Sequence, residues 1–303
     1  IKANPKIKTV FEEYQKKDLL KSNLEKNQEL KQLLLEETPW VLEAKNEDEQ
    51  MTKISRLFDL NTMRNSLQTD WAELAKLQNP DGGFSWYPGS PSSYSTSLYI
   101  LKNLGKINDW LKGDITEYQG SEQKQIVAKL VKFADAEMSK FYQMNQKFNF
   151  SNWIFDYLDS RSYWEKDFAL KGNGFKLKNL VTQQAPKADI KEFTFFGLHR
   201  SAILFDRYGL KDMSKKILNY LKETSVPSET QGVYWKHNRD AWGWYSSKTV
   251  NHAGALEAFN KLAPNDQNFI EEMKIWLVTQ KEVNHWETSR STVEVILTLL
   301  NSG

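Results

Sequence analysis

LQNPDGGFSWYPGSPSSYSTSLYILKNL, from Leu77 to Leu104, sets glycines and an aromatic pair ahead of a Ser/Thr-rich step and an apolar helix. The phrase returns as GVYWKHNRDAWGWYSSKTVNHAGALEAFNKL from Gly232 to Leu262 and as WLVTQKEVNHWETSRSTVEVILTLL from Trp276 to Leu300. Repetition of this kind says more about the fold than any single residue. Each copy closes in a stripe at i, i+3, i+4, i+7: Ser97, Ile100, Leu101, Leu104; Ala255, Ala258, Phe259, Leu262; Val293, Ile296, Leu297, Leu300. That spacing predicts three amphipathic helices, each burying one face. The marker tryptophans Trp86, Trp244 and Trp286 precede the stripes by 11, 11 and 7 residues, so the third loop enters its helix about one turn sooner. Glycine allows the sharp path before the aromatic residue, and a hydroxyl such as Thr288 or Ser246 can cap the helix that follows.

The rest of the chain also reads as helix. Predicted segments are Pro5 to Leu20, Leu24 to Leu35, Glu47 toward Met63, Trp71 to Leu77 capped at Thr69-Asp70, and Gln119 to Phe141. Further on come a helix opened by Ser151, then Trp164 to Leu180, Phe193 to Tyr208 stopped by Gly209, and Asp212 to Leu221. Strand-like alternation is confined to short runs such as Gly232 to Trp235. Without a linker or low-complexity break, residues 1–303 are expected to form one all-α domain of successive helical hairpins. Loops recurring at one end favour closure into an α/α toroid over an open solenoid.

Composition narrows the function. Forty-one basic and 39 acidic residues leave a formal charge of +2, interspersed along the chain, so no nucleic-acid footprint is expected. The Lys/Glu runs at Glu25 to Lys31 and Glu43 to Glu49 read as solvated helix faces. Mean hydropathy is −0.65, and no apolar run approaches the roughly 18 residues of a membrane span. The absence of cysteine excludes disulfides, Cys-ligated zinc, thiol nucleophiles and a thioester made within these residues. The start at Ile1, with no initiator Met or apolar leader, is read as that of a piece of a longer protein.

LQNPDGGFSW, WGWYSS (Trp242 to Ser247) and HWETSRSTVEVILTLL (His285 to Leu300) resemble the toroid of the α2-macroglobulin family, in particular its large bacterial members. Ala3 to Gln50 also resembles the bacterial branch. The resemblance implies a thioester-type domain of a secreted or periplasmic protease trap, attached to any membrane through a part of the parent outside these residues. Implied partners are the neighbouring domains of the parent and its target proteases. Reactive members carry Cys-x-Glu-Gln; here Glu49-Gln50 follows Asp48 and cannot stand in for it. None of His199, His237, His252 or His285 sits in the motif of the histidine that assists thioester transfer. No cofactor, metal or catalytic residue is therefore assigned.

Three enzyme classes share toroidal folds, of which protein prenyltransferases need a zinc site with a Cys ligand and are excluded. Gln78-x-x-x-Gly82-x-Phe84 and Gln280-x-x-x-Asn284-x-Trp286 are close to the Gln-Trp repeats of triterpene cyclases, where the glutamine ties a helix end, but the Asp-x-Asp-Asp acid of those enzymes is absent. A carbohydrate-active toroid, a glycan lyase or hydrolase, would draw on Asp240, Glu287, His252, Tyr94, Trp86, Trp242 and Trp244. The simpler reading makes Asp240 and Glu287 carboxylates at helix starts, and His252 a helix residue hydrogen-bonded beside a close-packed Gly254. It makes Trp86, Tyr94, Trp242, Trp244, His252 and Trp286 the packing, or binding, surface at the toroid's end. His237 and His285 have no partner at metal-ligand spacing.

Overall fold

A computed structural model of the chain describes residues 60–110, 121–144, 148–281 and 285–300. The helices expected at Pro5 to Leu20 and Leu24 to Leu35, the one from Glu47 toward Met63 as far as residue 59, and the Asp48-Glu49-Gln50 stretch lie outside the described residues. The backbone falls into two compact units, one of Ile1–Gln78 with Lys106–Ile126 and one of Asn79–Gly105 with Val127–Gly303. Among the described residues are ten α-helices and a single two-stranded ribbon. They are α1 (Leu60–Leu77), α2 (Tyr94–Trp110), α3 (Ser121–Met144), α4 (Asn152–Ser162) and α5 (Gly172–Gln184), followed by α6 (Phe195–Arg207), α7 (Lys211–Glu223), α8 (Lys248–Leu262), α9 (Gln267–Thr279) and α10 (Ser289–Leu300). Strands β1 (Val226–Ser228) and β2 (Gly232–Tyr234) pair antiparallel between α7 and α8, where the sequence predicts a ribbon. None of the described helices is long and apolar enough to cross a membrane.

In the first unit, the Gln78 side-chain amide donates to Ile126 O at 3.0 Å, so this glutamine does tie the end of α1. Gln280, its counterpart in the third copy, instead accepts from Lys248 Nζ. Thr69 and Asp70 are exposed and sit inside α1 rather than capping it.

The second unit holds two kinds of helix. From Ile154 to Arg161 in α4, Phe195 to Phe205 in α6 and Thr249 to Phe259 in α8, every residue is buried. In α7 and α9 only one face is: Met213, Ser214, Ile217, Leu218, Leu221, and Phe269, Ile270, Met273, Trp276, Leu277. The buried helices pack on one another, α4 on α6 and α6 on α8, while α10 lies on α8, α7 on α6 and α9 on α8. Ser160 of α4 bonds Leu98 O of α2, and Lys102 of α2 pairs with Glu294 of α10 at 3.4 Å, both side chains buried.

The helix starts follow their caps. Ser151 accepts from Ile154 N, Thr194 from Gly197 N and Thr288 from Ser291 N. The cap of α8 is Ser247, accepting from Val250 N; Ser246, one residue earlier, bonds Gly243 O instead. The helix expected from Trp164 begins only at Gly172, because residues 163–168 turn to let the Trp164 indole donate to Leu101 O. The stripe expected on α10 is also displaced: Val293 is exposed, and the buried face is Ser291, Glu294, Val295 and Thr298. That face is polar because α10 looks onto charged side chains, which a search for apolar periodicity passes over.

Two glycines recur with the same job. Gly82 (φ 92°) and Gly232 (φ 72°) are left-handed, and a Cβ on either would run into a backbone carbonyl, Lys129 O of α3 or Glu272 O of α9. Only glycine meets both demands.

Candidate functional site

The three repeat loops do not use their tryptophans alike. Trp286 is buried, its indole donating to Leu277 O at 2.7 Å in the last turn of α9 and its backbone N–H to Thr292 Oγ1. The matching plug of the second copy is Trp235, whose indole donates to Leu221 O at 2.8 Å in the last turn of α7. In the first copy it is Phe84, buried, with its N–H on Ser97 Oγ. Trp86 and Trp244, grouped with Trp286 by sequence, are rim residues instead, and Trp242 is 92 % exposed, so it seals nothing.

Trp86 and Trp244 line one open groove of about 860 Å³ together with Arg239, Arg290, Glu287 and the hydroxyls of Ser246, Ser247, Thr288 and Ser289. The loops entering α2, α8 and α10 build it. The first is held by Asn79, whose amide donates to Ser90 O and Ser92 Oγ, and by Asp81, which accepts from Gly83 N and Ser92 Oγ. With Phe84 buried, Trp86 is left on the outside, 57 % exposed. It meets Trp244 edge-on at 5.6 Å, and Trp244 meets Tyr99 edge-on at 5.8 Å. The Arg290 guanidinium lies 3.8 Å from the Trp244 ring centre and donates from Nη1 to Trp244 O at 2.7 Å. Burial draws the Arg290 pKa down against the pull of Glu294 and Asp156. An arginine stays charged through such a shift.

Glu287 accepts from Ser247 Oγ at 2.9 Å and forms an ion pair with Arg239. Burial would raise its pKa, but the Ser247 and Thr249 hydrogen bonds and the Arg239 charge outweigh it, and the carboxyl is held below its usual range. Asp240 is not in the groove. Both its oxygens accept from Phe195 N at 2.9 Å, at the start of α6, and burial leaves its pKa raised. The two carboxylates weighed as an acid and base pair thus serve separate helix entries.

His252 and Tyr94 face inward. His252 is fully buried, stacks on Trp276 at 4.2 Å and donates from Nε2 to Met273 O at 3.0 Å, which fixes its tautomer. Burial lowers its pKa to about 3. Close packing at Gly254 is against the ring of His199, not His252. Tyr94 is 7 % exposed and stacked on Trp153 at 4.5 Å. His237 and His285 are exposed.

Beneath these groups lies a set of buried charges that sequence reasoning missed: Lys102 from α2, Asp156 and Asp159 from α4, Arg200 from α6, Glu257 from α8 and Glu294 from α10. Arg200 Nη1 stands 3.5 Å from Asp159 and 4.0 Å from Glu257, and Arg207 reaches Asp159 at 3.3 Å. Burial raises the Asp156 pKa although Lys102, Arg200 and Arg290 oppose it. The missed signal was isolated charges set inside apolar runs, Arg200 in FFGLHRSAILF and Asp156, Asp159 and Arg161 in WIFDYLDSRSYW. Among the described residues, no three His, Asp or Glu side chains gather as a metal site would require. No family model matches the chain, and no curated protein matches its sequence.

Proposed function

We propose that the chain is an α/α toroid serving as the thioester-like, non-catalytic block of a bacterial α2-macroglobulin-type protease trap of the cell envelope. The observation that carries the reading is the repeated entry into the buried helices. Gly82 and Gly232 are each pressed against a helix carbonyl, Lys129 O of α3 or Glu272 O of α9, and Phe84, Trp235 and Trp286 are buried in the loops ahead of α2, α8 and α10. The alternation of fully buried and one-faced helices supports it, as does the succession α2, α4, α6, α8, α10, in which Lys102 and Glu294 join first to last. A rigid toroid of this kind would be held by neighbouring domains of its parent and released when a protease cuts elsewhere.

Two measurements test the proposal. In small-angle scattering a closed toroid of 303 residues has a radius of gyration near 19 Å, and an elongated particle would remove the toroid. Incubating the parent protein with a protease should give compaction with the protease retained. Cleavage without either would refute the trapping role. The non-catalytic part fails if a polysaccharide panel shows turnover that Glu287→Gln abolishes.

A further inference from the structure

The groove of Trp86, Trp244 and Arg290 has the chemistry of a sugar-acid site, and this inference does not rest on the macroglobulin reading. An exposed indole is a flat apolar platform of the kind that covers the C–H face of a pyranose ring, and Trp86 is held in place by its edge contact with Trp244. Four hydroxyl side chains line the same groove and can exchange hydrogen bonds with sugar hydroxyls. Charge sets the rest. The groove carries two guanidinium groups, Arg239 and Arg290, against one carboxylate, Glu287. Both arginines border the groove, Arg239 exposed and Arg290 with Nη1 on Trp244 O. A planar carboxylate meets a guanidinium in two parallel hydrogen bonds. A ligand with an apolar ring face, several hydroxyls and one carboxylate satisfies each of these features.

We propose that this groove binds a hexuronate residue of an acidic polysaccharide, its ring on Trp86 and its carboxylate on Arg290 and Arg239, without cleaving it. Cleavage is not expected: hydrolysis needs two carboxyl groups flanking the bond, and β-elimination needs a general base at the uronate C5, for which the groove lining holds no His, Tyr or Lys and its arginines stay charged. Glu287 is committed to Arg239 and Ser247, and Asp240 to the start of α6.

The test titrates the 303-residue chain with a short oligogalacturonate while following tryptophan fluorescence. Parallel arms use the same oligomer with its carboxylates methyl-esterified, and an oligoglutamate peptide. A saturable change is expected with the acid form, with roughly tenfold weaker binding of the ester and of the peptide. Trp86→Ala, at an exposed position, should weaken the acid form by about tenfold at an unchanged melting temperature, and Arg290→Gln by at least as much. The proposal is overturned by an absent response, by ester or peptide binding as tightly as the acid, or by Trp86→Ala binding like the parent chain. Ultraviolet absorbance from an unsaturated product, or new reducing ends, overturns it as well.

Discussion

The tryptophans of the repeat loops separate into two energetic classes at the scale of single residues. Trp286 and Trp235 combine a buried ring with an indole N–H on a helix-end carbonyl, so Trp286→Ala forfeits packing and one of the two hydrogen bonds to Leu277 O, which also accepts from Gln280 N. A loss of about 3–5 kcal/mol in urea unfolding is expected, while Trp242→Ala should stay within about 0.5 kcal/mol of the parent chain. Comparable losses at both sites would contradict the assignment of plug and rim. His252 supplies a pH signature. Its folded pKa, about 3, lies well below the ordinary imidazole value, so the unfolded chain binds the proton more readily. Its contribution is present in full above roughly pH 6.5 and is lost as pH falls toward 3. The raised Asp156 carboxyl acts with the opposite sign. Replacing His252 by Gln should therefore make the acid-side fall in stability shallower, by up to about 1.4 kcal/mol per pH unit. Identical slopes in urea titrations between pH 6 and 4.5 would count against a neutral buried ring. The helical, hydrogen-bonded place of His252 was legible in Asn-His-Ala-Gly, but its partner on α9 was not, since a contact across 21 residues leaves no local trace.

The turns into the helices are the devices of the next scale, and their glycines can be ranked. Gly82→Ala and Gly232→Ala each combine a left-handed backbone with a blocked Cβ, and roughly 3 kcal/mol or more should be lost at each. Gly89 has φ 81° but open space around it, so Gly89→Ala should cost only about 1 kcal/mol. Equal melting points for Gly82→Ala and Gly89→Ala would show that the carbonyl contact does not matter. Helices were readable wherever a cap and an apolar stripe coincided, as at Ser151 and Thr194. The reading failed at Thr69-Asp70, because cap-type residues on an exposed helix face cost only tenths of a kcal/mol and so need not end a helix. It failed again at Trp164, where one indole hydrogen bond to Leu101 O, distant in sequence, overrides local preference. The groove was half legible: its tryptophans were singled out, whereas Arg239 and Arg290 carry no motif.

Across the molecule as a whole, the feature without precedent in the sequence reading is the charged interior of the second unit. Lys102 and Glu294 illustrate its energetics: burying an ion pair gains little, but breaking one strands a charge in a poor dielectric. Lys102→Met alone should cost about 3–5 kcal/mol, while Lys102→Met with Glu294→Leu should return to within about 1 kcal/mol of the parent chain. A double variant as unstable as the single one would mean that the pair itself, not its compensation, holds α2 to α10. Apolar periodicity could not reveal these groups, since they are scattered charges within hydrophobic runs, and the partners of Lys102 and Arg200 lie on different helices. An interior stitched in this way resists being opened one helix at a time. A backbone severed once between α9 and α10, at the exposed His285 for instance, should stay together as a nicked but intact particle, because a departing α10 would take the Glu294 carboxylate away from the buried Lys102 ammonium.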